Sequence, residues 1–156
     1  MLSVQTQTRR QPRVAALSTK KERAVGYFSS PEEVDTYIGE MFRQAANHPE
    51  VGPKMKAAQI TLRIIYQDPD CELNVRFHDP MEVCLGPWSY EPDVTMTMKV
   101  DIADRYWRGK YNMAVGMAKG EVKSKGPVSK VLKLVPLTKP LFPVYLDLVK
   151  HKDAEV

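Results

Sequence analysis

Hydrophobic positions change their period near residue 58. Before it, Val34, Ile38, Met41, Phe42 and Ala45 recur at helical spacing, which predicts one amphipathic helix with a single apolar stripe. Its start is marked by Ser30 as N-cap, Pro31 as first helical residue and Glu33 as capping-box partner. Asn47, Pro49, Gly52 and Pro53 are read as its end.

After residue 58 the alternation has a period of two. Ile60, Leu62, Ile64 and Tyr66 share one face of a strand, "DPDC" over 68–71 is a turn, and Leu73, Val75 and Phe77 return on a second strand. Met81, Val83 and Leu85 form a shorter strand before the Pro-bounded loop "GPWSYEP". Val94, Met96, Met98 and Val100 resume the alternation, with Thr95, Thr97 and Lys99 facing away. Asp101 reads as the cap of a helix, with Asp104 in its first turn, stopping at Gly109. A second short helix spans about Asn112 to Lys119, and "EVKSKG" is a fifth strand. "PVSKVLKLV" is helical with Val128, Val131, Leu132 and Val135 on one side, and a helix from Pro143 to Lys150 closes the chain. Every strand is apolar on one face only. That pattern predicts an α+β domain, a five-stranded antiparallel-rich sheet with helices covering one face.

Charge divides this picture in two. Residues 1–28 hold six basic residues against Glu22, whereas the remainder holds 17 basic against 18 acidic. The polar, aperiodic segment 1–28 is expected to be a basic, disordered leader, and 29–152 the single folded domain. A nearly neutral domain lacks the basic face that phosphate neutralisation needs, so no specific nucleic-acid partner is expected. "VAAL" is too short for a secretory signal, although acid-poor leaders with Arg and Ser also serve as mitochondrial presequences. With only Cys71 and Cys84 and no metal spacing, a reducing cytoplasmic setting is the simplest expectation.

The stretch "GKYNMAVGMAKGEVKSKG" invites a phosphate-loop reading, which fails. Gly109, Gly116, Gly120 and Gly126 have neither Walker nor dinucleotide spacing. Catalytic candidates are equally sparse. His78 beside Asp79, with Glu82 and Cys84 nearby, is the only local acid–base group, and no nucleophile triad or metal set emerges. Met96, Met98, Met113 and Met117 cluster on the inner face of a strand and on the short helix after it. Methionine packs against varied apolar shapes, as pocket wall or as ordinary core.

Residues 93–126, "DVTMTMKVDIADRYWRGKYNMAVGMAKGEVKSKG", resemble the sterol carrier protein type two family. The resemblance rests on Asp93, Val94, Thr95 and Thr97 in the alternating strand, Asp101 and Asp104 in the helix, and the Gly109–Lys110 step. Gly120, Val122, Lys123, Lys125 and Gly126 match its closing strand. It implies an apolar tunnel between sheet and helices and non-catalytic binding and transfer of a sterol, fatty acyl chain or related lipid. No cofactor or metal is expected. The implied ligand-binding residues are Val75, Phe77, Val83, Leu85, Met96, Met98, Met113, Met117, Val122, Ser124 and Leu132, with Tyr106, Trp107 and Tyr145 as neighbours. Ser124 and Gly116 depart from the family, which favours apolar and larger residues there. The expected partners are an apolar small molecule and, through the basic leader, transient contact with an anionic membrane surface. Two alternatives stand beside this reading. One is an enzyme acting on a small hydrophobic substrate through His78, Asp79 or Glu82; the other is an interaction module docking through the leader.

Overall fold

The computed structural model describes residues 26–155, so the expected leader lies outside the described residues except for its last three positions. Of these, Phe28 is fully buried and stacks on Tyr37 at 6.0 Å.

The first helix, α1, runs through Pro31–Val34, a π turn over Asp35–Gly39, and Glu40–Ala45. Ser30 caps it as expected, its hydroxyl accepting from the Glu33 N–H at 3.2 Å. The Glu33 carboxylate reaches back one residue further than a reciprocal box, accepting from the Ser29 N–H at 2.8 Å. All five stripe residues of α1 are buried.

A second helix, α2, occupies Val51–Ala57, where the sequence reading placed a terminator. Gly52 and Pro53 fall in its first turn, where a missing N–H costs nothing because no intrahelical acceptor exists there. His48 supplies the cap instead: its Nδ1 accepts from the N–H groups of Glu50 (3.1 Å) and Val51 (3.3 Å).

The sheet contains β1 (Ile60–Gln67), β2 (Cys71–Phe77), β3 (Glu82–Leu85), β4 (Val94–Lys99) and β5 (Lys123–Lys125) in the order β3-β2-β1-β4-β5. Only the central pair β1–β4 is parallel. Leu62 stands opposite Val75 on one side and Val94 on the other, and Ile64 opposite Leu73 and Met96, so one face is continuously apolar. Asp93 pins the parallel junction. Its N–H donates to the Thr61 carbonyl and its carboxylate accepts from the Thr61 N–H, both at 2.8 Å. The Thr61 N–H, with Lys130 beside it, holds this carboxyl below the usual range.

Helices α3 (Val100–Trp107), α4 (Met113–Ala118), α5 (Val128–Thr138) and α6 (Phe142–Ala154) complete the layer over that face, with a 3₁₀ turn at Lys139–Leu141 between the last two. Three expectations are corrected. Lys99, not Asp101, is the N-cap residue of α3, because Asp101 accepts from the Tyr27 N–H at 3.0 Å. On α5 the buried positions are Val131, Leu134 and Thr138, whereas Val128 and Leu132 are 42% and 46% exposed. The closing helix also runs beyond Lys150, since Asp153 takes both guanidinium arms of Arg108 at 3.1 Å and the Tyr27 hydroxyl at 2.5 Å.

Candidate functional site

Between the sheet and its helical cover lies an apolar cavity of about 70 Å³. The sheet supplies Leu62, Tyr66, Phe77, Met96 and Met98 to its floor. Phe42 of α1 and Met55 of α2 close one side, and Ala103, Tyr106 and Trp107 of α3 another. Met113 of α4 meets Val131, Leu134, Val135 and Thr138 of α5 to form the roof. Four of the chain's eight methionines line this space. The aromatic rings pack edge to face, Phe42 on Trp107 at 5.4 Å and on Phe77 at 6.0 Å, the arrangement that ring quadrupoles favour.

Of the residues singled out from sequence, Phe77, Met96, Met98 and Met113 come together around the cavity, as do Tyr106 and Trp107. Val75 and Val122 are buried in the core away from it. Val83 and Leu85 are half-buried on the outer strand β3, opposite Val75 and Leu73, and Met117 packs half-buried against the core. Tyr145 is buried behind α3, its hydroxyl donating to Asp104 at 2.6 Å. Ser124 stands opposite Met96 on the inner face, and its buried Oγ has no hydrogen-bond partner among the described residues. Met55 was missed because its helix was read as a break. Leu134 and Thr138 were missed because the apolar stripe of α5 was set one register away.

A second hollow of about 280 Å³ opens at the surface between α4 and α5. It is bordered by Gly109, Tyr111, Ala114, Leu132, Lys139 and Phe142, and it shares Tyr106, Met113, Val135 and Thr138 with the inner cavity. Those four side chains are the wall between the two spaces. The Tyr106 and Thr138 hydroxyls lie 2.5 Å apart within it, and Thr138 in turn donates to the Val135 carbonyl at 2.6 Å. A larger cleft of about 730 Å³ lies elsewhere, beside Tyr27 and α3, but Lys99, Asp101, Arg105, Glu121 and Lys123 line it with mixed charge. Its chemistry does not suit an apolar ligand.

The acid–base candidates lie outside the cavity lining. His78 is half-buried just after β2, near Asp93, whose carboxyl it helps to hold low. Glu82 faces Arg76 at 3.9 Å. Burial, with Asp70 and Glu32 nearby, pushes the Cys71 thiol up to about 11, which leaves little thiolate at neutral pH. Among the described residues no group of three or more His, Cys, Asp or Glu could hold a metal ion.

No family model matches the chain, and no curated protein does. Solved structures do. The sterol carrier protein domain 2 of Helicoverpa armigera aligns with a TM-score of 0.59 and 17% identity over 70% of this chain and 88% of its own. Sterol carrier protein 2 from Yarrowia lipolytica, in its apo form, gives 0.57 and 19% over 68% and 93%. The fold is that of sterol carrier protein 2. The same architecture also occurs inside a much larger protein, a stereoselective inverting sec-alkylsulfatase from Pseudomonas sp. The match there has a TM-score of 0.50 and 18% identity over 55% of this chain, and it spans 14% of the sulfatase. In the SCP2-like fold described here, the inner cavity lies between sheet and helices, with α5 as its outer wall.

Proposed function

We propose that this domain binds and carries a hydrophobic ligand, a sterol, fatty acyl chain or related lipid, without transforming it. The observation that carries this reading is the concentration of half the chain's methionines around one apolar cavity under a thin helical cover. At about 70 Å³ the cavity is small, well below the roughly 300–1,000 Å³ of small-molecule sites. A ligand therefore opens a tunnel by displacing side chains. Unbranched methionine does this at low cost, because its three torsions give many shapes of similar energy.

The energetics suit a carrier. Each buried methylene contributes about 0.8 kcal/mol, yet a ligand arriving from a bilayer leaves surroundings equally apolar. The pocket has only to match the membrane, so adaptability serves better than a rigid fit. Transient membrane contact through the basic leader and a cytoplasmic setting belong to this proposal too.

Native mass spectrometry of the purified chain, combined with displacement of a fluorescent acyl probe, tests it. A copurified lipid or saturable displacement is expected. If neither is seen, the reading is wrong.

A further inference from the structure

Helix α5 is apolar on both sides. Its inner side buries Val131, Leu134 and Thr138, while Val128 and Leu132 face solvent one turn apart, followed by exposed Pro136. Val115 on neighbouring α4 is 46% exposed as well. The helix–helix hollow beside Leu132 is lined by Lys139 and no acidic residue, and exposed Lys110 and Lys133 follow directly on its lining residues Gly109 and Leu132. Of the seven lysines over residues 109–141, Lys123 and Lys125 lie on the other face of the sheet and Lys130 pairs with Asp93 at 3.4 Å, which leaves Lys110, Lys119, Lys133 and Lys139 against one acid, Glu121. In a domain that is almost neutral as a whole, apolar side chains set among lysines are the pattern of a surface that meets acidic headgroups and the acyl boundary beneath them.

We propose that the α4–α5 face docks onto an anionic lipid bilayer, with Leu132 and Val115 entering the headgroup boundary and the lysines pairing with lipid phosphates. Charge argues against the other occupants. A second copy would bring two lysine-rich faces together, and residues 1–25 are themselves basic, with six Lys and Arg against Glu22. Docking in this orientation turns the hollow toward the membrane, with only the Tyr106, Met113, Val135 and Thr138 wall between lipid and inner cavity. That delivery role rests on the proposed function; the docking itself does not.

The test is co-sedimentation of the full chain with phosphatidylcholine vesicles, with and without phosphatidylglycerol. Partitioning is expected to require phosphatidylglycerol and to weaken with salt. The Lys133→Glu/Lys139→Glu pair should lose at least about 30-fold, given about 1 kcal/mol per basic residue near the surface, and Leu132→Asp should lose binding at unchanged circular dichroism. Lys123→Glu/Lys125→Glu carries the same charge change on the opposite face of the sheet, beside Thr95 and Thr97. It should lose no more than about threefold. Equal losses in the two pairs, no loss in either, or equal binding to neutral vesicles would overturn the proposal. Acyl-probe displacement on the same samples separates the readings. Displacement without face-dependent docking leaves the carrier standing alone, and docking without displacement leaves the surface standing alone.

Discussion

The Tyr106 hydroxyl sits 2.5 Å from that of Thr138, joining α3 to α5 in the wall that separates the inner cavity from the surface hollow. Because Thr138 spends its hydrogen on the Val135 carbonyl, Tyr106 is the donor across the gap. Breaking this bond loosens α5 without removing any ring from the lining. Tyr106→Phe should cost about 1 kcal/mol of stability and speed uptake of a fluorescent acyl chain about fivefold in stopped-flow mixing, the rate equivalent of that energy. Uptake at the parental rate would mean that the wall is not the path.

Ala103 is 2% exposed and lines the cavity from α3. Ala103→Leu places a branched side chain into the small void. Acyl-probe affinity should fall at least about tenfold, with a stability change within roughly 1–3 kcal/mol of zero, the usual range for overpacking. Titration of the probe, with thermal melting as control, checks it.

Two glycines of the 109–126 stretch separate by what surrounds them. A Cβ on Gly116 would overlap the Tyr111 hydroxyl, the far end of a side chain that can swing aside at the loss of its bond to Glu121. Gly126 has φ +106, and a Cβ there would come 2.5 Å from the Asp93 carbonyl, fixed backbone at the parallel junction. Gly126→Ala should therefore destabilise by about 2 kcal/mol or more and Gly116→Ala by about 1. Urea unfolding of both variants measures the order.

Asp153 accepts from both guanidinium arms of Arg108 and from the Tyr27 hydroxyl, and these donors hold its carboxyl below the usual range, Arg108 foremost. A carboxyl depressed by folding adds stability above its unfolded pKa and loses it as pH falls through the folded value. Asp153 is 40% exposed, so the interaction is screened, and Asp153→Asn should cost only about 1 kcal/mol at neutral pH. That difference should shrink toward zero below about pH 4. Thermal melts of both proteins across acid pH test this; a difference independent of pH would refute the assignment.

Much of the architecture was legible because each strand buries only one face. Period-two alternation placed Leu62, Val75 and Met96 on the inner side without any knowledge of their neighbours, and the register bears that out. Start signals were equally readable at α1, where Ser30 and Glu33 act locally. The errors came where a residue has two meanings. Gly52 and Pro53 break a helix interior but suit a first turn, and only the His48 cap decides which holds. Asp101 can cap α3 or hold Tyr27, and the second partner lies 74 residues away in sequence.

The chain's own pattern determined the α+β class, the inner faces of the strands and the methionine-rich character of the space beneath the helices. Local periodicity and turn chemistry are properties of neighbouring residues, so one sequence is enough to read them. Tertiary structure alone decided that β1 and β4 lie side by side in parallel, and that Met55, Phe42 and Trp107 converge with Thr138 on one small cavity. It also decided that α5 turns Leu132 outward. Those outcomes depend on which surfaces meet across long stretches of chain, where burial and steric fit, not spacing, select the arrangement.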